Sequence, residues 1–202
     1  MATKIKICGI RRPEDCDYIN VALPDYAGFI FWPKSFRYID LGQAAMLRAK
    51  IDPQIVTVGV FVDETQERVA EIANSGSIGV VQLHGHEDAE YIAELRKQIP
   101  DGMPVWKAYK IRSEGDIRSA MASKADLILL DNGYGTGECF DHSLIQDMGR
   151  PYVLAGGLTP ENICEIKEKY HPYMLDISSG VETDKVKDKD KINRAVMNAR
   201  RK

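Results

Sequence analysis

Cysteine is scarce and scattered in this chain: 202 residues hold four, Cys8, Cys16, Cys139 and Cys164, with no Cys-x-x-Cys grouping. That spacing argues against a zinc site and against a disulfide framework, so the thiols are expected to be reduced. No run approaches the roughly 18 consecutive apolar residues of a membrane-spanning helix. Met1-Ala2-Thr3 leads straight into a strand pattern without a signal-peptide hydrophobic region, so a soluble, cytoplasmic protein with no membrane partner is expected. Basic charge is also in short supply. Lys plus Arg number 27 against 30 Asp plus Glu, a net charge of −3 with no sustained basic stripe, which excludes the phosphate-neutralising surface of a nucleic-acid binder. Two further absences matter: no Gly-x-Gly-x-x-Gly turn follows the first strand pattern, and no low-complexity linker divides the chain. What is present is 44% apolar and 28% charged composition, enough to bury one full core, so residues 1–202 are read as one domain with a small-molecule partner.

Apolar runs of strand length fall at 4–9, 26–31, 55–62, 78–83, 103–109, 126–131, 151–155 and 174–178. Polar segments with helical spacing lie between and after them, at 13–22, 40–50, 64–75, 87–99, 113–123, 141–148, 160–170 and 188–200. Helix starts are expected at Asp40, at Asp63-Glu64, and at Thr159-Pro160-Glu161, where a hydroxyl cap precedes a proline in the first turn. Val- and Ile-rich strands alternating with helices imply parallel pairing covered by helices, and eight such units match a closed (β/α)₈ barrel. An open doubly wound sheet is the rival, and the missing glycine turn counts against it.

In such barrels functional groups gather at the C-terminal ends of the strands. Here those ends read Cys8, Phe31, Asp63, Gln82 with His84, Tyr109, Asp131, Gly156-Gly157 and Ser178-Ser179-Gly180. Most lone cysteines are small buried hydrophobes, and Cys8 is set apart only by closing the first strand. With an ordinary pKa near 8.5, only about 3% of such a thiol is ionised at neutral pH, so a catalytic Cys8 needs a cation nearby. Lys6 shares its strand face, and Asp176 shares a face with Ser178 on the last strand, so a Lys6–Asp176 ion pair is expected beneath the site. Asp131 closes its own strand and is the candidate acid to match the candidate base. Gly156, Gly157, Ser179 and Gly180 form two glycine- or serine-rich ends on neighbouring strands, where backbone amides can surround a phosphate. Gln82 and His84 are assigned to the site wall, and Arg37, with its planar fork, is a candidate for holding an anionic or polar substrate group. The glycine loop 133–137 is either simply flexible or closes over a ligand.

Together these motifs resemble the phosphoribosylanthranilate isomerase family of tryptophan biosynthesis. The likeness runs through Lys6-Ile7-Cys8-Gly9-Ile10, Gly28-Phe29-Ile30-Phe31 with Pro33-Lys34-Ser35-Phe36-Arg37-Tyr38, Val58-Gly59-Val60-Phe61-Val62 and Val81-Gln82-Leu83-His84-Gly85. It continues in Leu129-Leu130-Asp131, Gly135-Thr136-Gly137 with Phe140-Asp141, Leu154-Ala155-Gly156-Gly157-Leu158 with Pro160-Glu161-Asn162, and Asp176-Ile177-Ser178-Ser179-Gly180-Val181-Glu182. The resemblance implies a cofactor-independent and metal-free aldose–ketose isomerase acting on a phosphosugar by an Amadori rearrangement. Asp131 is then the general acid, Cys8 the general base, Arg37, Gln82, His84 and Asp176 the substrate wall, and Gly156, Gly157, Ser179 and Gly180 the phosphate site. It leaves a monomer or a homodimer open. The chain departs from the family at Phe36, often proline there, at His142, commonly tryptophan, and at Glu138, often basic. Within enzymes the rivals are an indole-glycerol-phosphate synthase, which needs a catalytic lysine at a strand end, and a histidine-pathway isomerase, which needs paired aspartates and internal repetition. Neither pattern is present. A non-catalytic phosphate-binding barrel is the reading from another class, and it leaves the paired thiol and carboxyl without a use.

Overall fold

Runs rich in β-branched residues become strands whose side chains alternate between two apolar environments, one inside a ring of strands and one beneath helices. The computed structural model describes residues 3–131, 144–145 and 148–201. Eight parallel strands close into a barrel: β1 (Lys4–Cys8), β2 (Tyr26–Ile30), β3 (Val56–Phe61), β4 (Val80–Leu83), β5 (Val105–Lys110), β6 (Leu127–Asp131), β7 (Tyr152–Ala155) and β8 (Met174–Ile177). The ring is sealed where β1 meets β8, with Lys6 opposite Asp176, while on its other side Cys8 lies opposite Gly28 of β2. Seven helices lie among the described residues: α1 (Pro13–Ala22), α2 (Leu41–Arg48), α3 (Gln66–Asn74), α4 (Ala89–Leu95), α5 (Glu114–Met121), α6 (Ile163–Tyr170) and α7 (Lys189–Arg200). None of the described helices is long and apolar enough to cross a membrane. The helix expected over 141–148 lies largely outside the described residues.

One face of the strands (Ile5, Ile7, Phe29, Leu83, Ile128, Leu154, Leu175) packs in a large apolar cluster with helix residues such as Ile19, Val69, Ile92, Ile163 and Ile192. The other face forms a smaller cluster of Val58, Val80, Trp106, Ala108, Leu127, Leu129, Val153, Ala155 and Met174. Fully burying an aliphatic side chain of this size contributes about 1.5–3 kcal/mol, so the two layers supply the main drive to fold. Along the inner face apolar residues give way to polar ones towards the C-terminal rim: Met174 then Asp176 on β8, Val80 then Gln82 on β4, Leu129 then Asp131 on β6. The opposite end is filled by Trp106, its ring meeting Tyr26 edge to face at 5.0 Å between centroids.

Two helix starts differ from the sequence expectation. Asp40 does cap α2, accepting from the Gln43 amide at 2.8 Å, but α3 is capped by Thr65, which accepts from the Arg68 amide at 3.2 Å. Asp63 is occupied elsewhere: its amide donates to Glu87 and its carboxylate accepts from the His86 amide, tying the loop after β3 to the loop after β4. Thr159-Pro160-Glu161 forms a turn ahead of α6, whose cap position is Asn162. The Asn162 side chain accepts from the Thr159 amide and donates to the Gly157 carbonyl, so it braces the loop after β7 and does not cap the helix.

A feature absent from the sequence reading follows β8. A single 3₁₀ turn, Ser179–Val181, leads into a small antiparallel hairpin of β9 (Glu182–Thr183) and β10 (Val186–Lys187). Its two turn residues, Asp184 and Lys185, both have left-handed φ, 51° and 62°.

Candidate active site

The polar inner ends of the strands open onto a cavity of about 1100 Å³ at the C-terminal rim. Cys8, Arg37, Gln82, His84, Asp131, Gly156, Gly157, Asp176 and Ser179 all line it, so the thiol of β1 and the carboxyl of β6 share one cavity wall. Gly180 is not on that wall. A Cβ there would meet the Leu158 carbonyl oxygen at 1.9 Å, so glycine at this position lets the loops after β7 and β8 lie against each other. Gly156 and Gly157 have successive left-handed φ values of 86° and 64°, which gives the wall a concave run of backbone next to Ser179.

Cys8 sits in a charged but nearly dry setting. Lys6 is fully buried and donates to the Asp176 carboxylate at 2.7 Å, the ion pair expected from the strand parity. Burial opposes the Lys6 charge, but Asp176 and the nearby sulfur outweigh it and hold the ammonium above its ordinary pKa. Burial acts most strongly on Cys8 and pushes its thiol up; Lys6 and then Lys187 pull it down, while Asp176 adds to the rise. The expectation that Lys6 would favour the thiolate is therefore met in direction but not in outcome, because burial outweighs the lysine and Asp176 adds to the rise. Gly28 makes room for this group: a Cβ there would lie 2.7 Å from the Cys8 sulfur and 3.2 Å from Lys6 Cε.

Asp131 is oriented through two wall residues. Gln82 Nε2 lies 3.0 Å from His84 Nδ1, and His84 Nε2 lies 3.1 Å from Asp131 Oδ2. An amide nitrogen can only donate, so His84 Nδ1 accepts and the ring carries its proton on Nε2, pointing at the carboxyl. The histidine is thus a link in a chain that aims Asp131, a role its sequence position did not reveal. Two buried acceptors, Gln82 Oε1 and Asp176 Oδ1, have no hydrogen-bond partner among the described residues.

The sequence reading also missed a second buried charge cluster beside the first. Glu182 of β9 accepts from Arg37 Nε and Nη2, both at 2.7 Å, and from Lys187 of β10 at 2.8 Å. Burial would raise the Glu182 carboxyl, but the Arg37 hydrogen bonds and the Lys187 charge outweigh it and hold its pKa below the ordinary value. Lys187 is pushed down by burial, which Glu182 only partly offsets, and it donates to the Ser178 carbonyl at 2.9 Å behind the β8 end. Among the described residues no group of three or more His, Cys, Asp or Glu side chains is arranged to hold a metal ion. The glycine loop 133–137, with Cys139, Phe140, Asp141 and His142, lies outside the described residues.

Comparison with known proteins points to a single family. A profile of the N-(5'-phosphoribosyl)anthranilate (PRA) isomerase family matches residues 5–198. The chain is 43% identical over 194 residues to an N-(5'-phosphoribosyl)anthranilate isomerase of Endomicrobium trichonymphae, covering 94% of each chain. It is 39% identical to the protein of the same name from Clostridium acetobutylicum, covering 98% of each. Among solved structures it resembles the phosphoribosyl anthranilate isomerase of Thermotoga maritima, with a TM-score of 0.88, 37% identity and 98% coverage of both chains. A second such enzyme, solved in complex with reduced 1-(o-carboxyphenylamino)-1-deoxyribulose 5-phosphate, aligns with a TM-score of 0.86 at 36% identity, over 98% of this chain and 98% of its own.

Proposed function

Because the chain belongs to the phosphoribosylanthranilate isomerase family, we propose that it converts N-(5-phosphoribosyl)anthranilate to 1-(2-carboxyphenylamino)-1-deoxyribulose 5-phosphate, an Amadori rearrangement. The observation that carries the reading is the pairing of Cys8 and Asp131 on one cavity wall. Asp131, aimed by His84, protonates the furanose ring oxygen. The C1–O bond breaks as the anilino nitrogen's lone pair forms an iminium, and the positive charge acidifies the C2 proton. Cys8 as thiolate removes that proton, the C–H electrons form the C1=C2 double bond, and the nitrogen becomes neutral again. The resulting enolamine gives the keto product when its enol proton leaves and C1 is protonated. No step requires a metal or an organic cofactor.

The buried thiol fits this sequence of events. Moving a group from about 3% to full ionisation costs only about 2 kcal/mol, and burial adds to it. An iminium formed beside the sulfur, added to Lys6 and Lys187, supplies positive charge at the moment the base is needed. The phosphate is assigned to Gly156, Gly157 and Ser179, with Gly180 allowing the two loops to close up. Arg37 is assigned to the substrate's carboxylate, and Gln82 and Asp176 to the wall around the pentose.

A fluorescence assay following consumption of freshly generated phosphoribosylanthranilate tests the reading directly. Turnover by the wild-type protein is expected, with Cys8→Ala and Asp131→Asn each slower by at least the 10² or so typical of a general base or acid and each still folded. Near-normal rates in either variant would remove that residue from the mechanism, and an inactive wild type would remove the substrate.

A further inference from the structure

Arg37 reaches the cavity by passing over Gly9, whose φ of 83° and missing Cβ leave space: a Cβ there would sit 2.5 Å from Arg37 Cδ. The Phe36 ring covers the guanidinium, its centroid 4.1 Å from Arg37 Cζ. Glu182 then takes the Nε hydrogen and one hydrogen of Nη2 in a side-on fork. A guanidinium has five N–H donors, so this geometry leaves the end-on pair, one hydrogen each from Nη1 and Nη2, as the fork presented to a ligand. Among the described residues no other acceptor engages the guanidinium.

Glu182 is itself held. Lys187 binds Oε1 from the adjacent strand of the hairpin, and both side chains are more than nine-tenths buried, so the carboxylate cannot swing into solvent. The hairpin is anchored in turn by Arg11, which donates to the Lys185 carbonyl at 3.0 Å and to the Phe36 carbonyl at 3.4 Å. Lys187, Glu182 and Arg37 therefore form a line of alternating charge running from behind β8 to the cavity wall.

We infer that Glu182 is a positioning residue: by occupying the side-on edge of Arg37 it aims the end-on edge at the aromatic carboxylate of the substrate, and so sets the preference for a 2-carboxyphenyl over a plain phenyl group. The inference rests on the proposed substrate. It adds that discrimination at Arg37 is set 145 residues away in the sequence. A carboxylate held by two N–H donors in one plane gains most from a guanidinium that cannot rotate, and a free Arg37 would lose that alignment.

The test compares two ligands by calorimetry, reduced 1-(o-carboxyphenylamino)-1-deoxyribulose 5-phosphate and its phenylamino counterpart without the carboxylate. Wild type is expected to prefer the first. Glu182→Gln is expected to weaken the carboxylated ligand about tenfold or more, within the range for a charge-assisted hydrogen bond, and the plain ligand less than about twofold. In an Arg37→Ala background the same change should leave the preference untouched. Glu182→Asp keeps the charge beside Lys187 while drawing the carboxylate back; it is expected to lose part of the preference and serves if Glu182→Gln does not fold. Equal weakening of both ligands, or full preference retained in the Glu182 variants, overturns the inference. A wild type that binds neither ligand overturns the proposed substrate and the inference with it.

Discussion

The Cys8 sulfur lies beside two ammonium groups, Lys6 and Lys187, and burial still keeps it protonated at neutral pH. Loss of hydration is the larger effect, and the lysines only partly offset it, since each is already paired with a carboxylate, Asp176 or Glu182. The consequence is a pH profile. Because burial lifts the folded-state thiol above its ordinary value, the thiolate absorbance of the free protein, identified by its loss in Cys8→Ser, should develop only above about pH 9. A thiolate signal already complete by pH 7.5 would mean that the free protein holds Cys8 ionised. The position of Cys8 was readable in the sequence because it ends a strand. Its state was not, since that depends on residues brought in from β8 and β10.

At the scale of elements, strands and most helices could be read because each carries its own periodic signal. The cap at Asp40 was legible for the same reason. The start of α6 was not: Thr159, Glu161 and Asn162 all carry side-chain oxygens, and only the fold decides that Asn162 is committed to the loop after β7. The β9–β10 hairpin was invisible because Asp184 and Lys185 adopt left-handed φ without the glycine that usually announces such a turn. Its partner Arg37 lies on a distant loop, so no local pattern connects them. Packing between the loops after β7 and β8 leads to a further expectation. In Gly180→Ala the new methyl must displace the Leu158 carbonyl, 1.9 Å from its ideal place, and the loops must part. KM for the phosphosugar should rise about tenfold or more, overpacking should cost about 1–3 kcal/mol of stability, and Cys8 alkylation should proceed at the wild-type rate. An unchanged KM would detach this contact from ligand binding.

For the molecule as a whole, the Lys6–Asp176 pair marks the seam that closes the barrel. Lys6→Met leaves the Asp176 carboxylate buried without its cation, and breaking a buried pair in this way costs about 3–5 kcal/mol. Urea unfolding should show that loss, and Lys6→Met/Asp176→Leu should recover most of it, because two apolar side chains leave no stranded charge. A loss below about 1 kcal/mol in the single variant would mean that water reaches Asp176. The closed eight-stranded ring was legible from the count and spacing of apolar runs and the Lys6–Asp176 pair from strand parity, whereas Glu182 and Lys187 appeared in the sequence only as an ordinary acid and lysine.

The same seam sets an order of events during synthesis. Lys6 leaves the ribosome ahead of the aspartate that neutralises it, which lies 170 residues behind, and at about 5–20 residues per second that is a delay of roughly 10–30 s. Until then the first strand carries an ammonium with no counter-ion, and hydration of that charge opposes its premature burial. The nascent chain is thereby kept from sealing an incomplete ring, and the pocket acquires its shape only once the last strand has emerged.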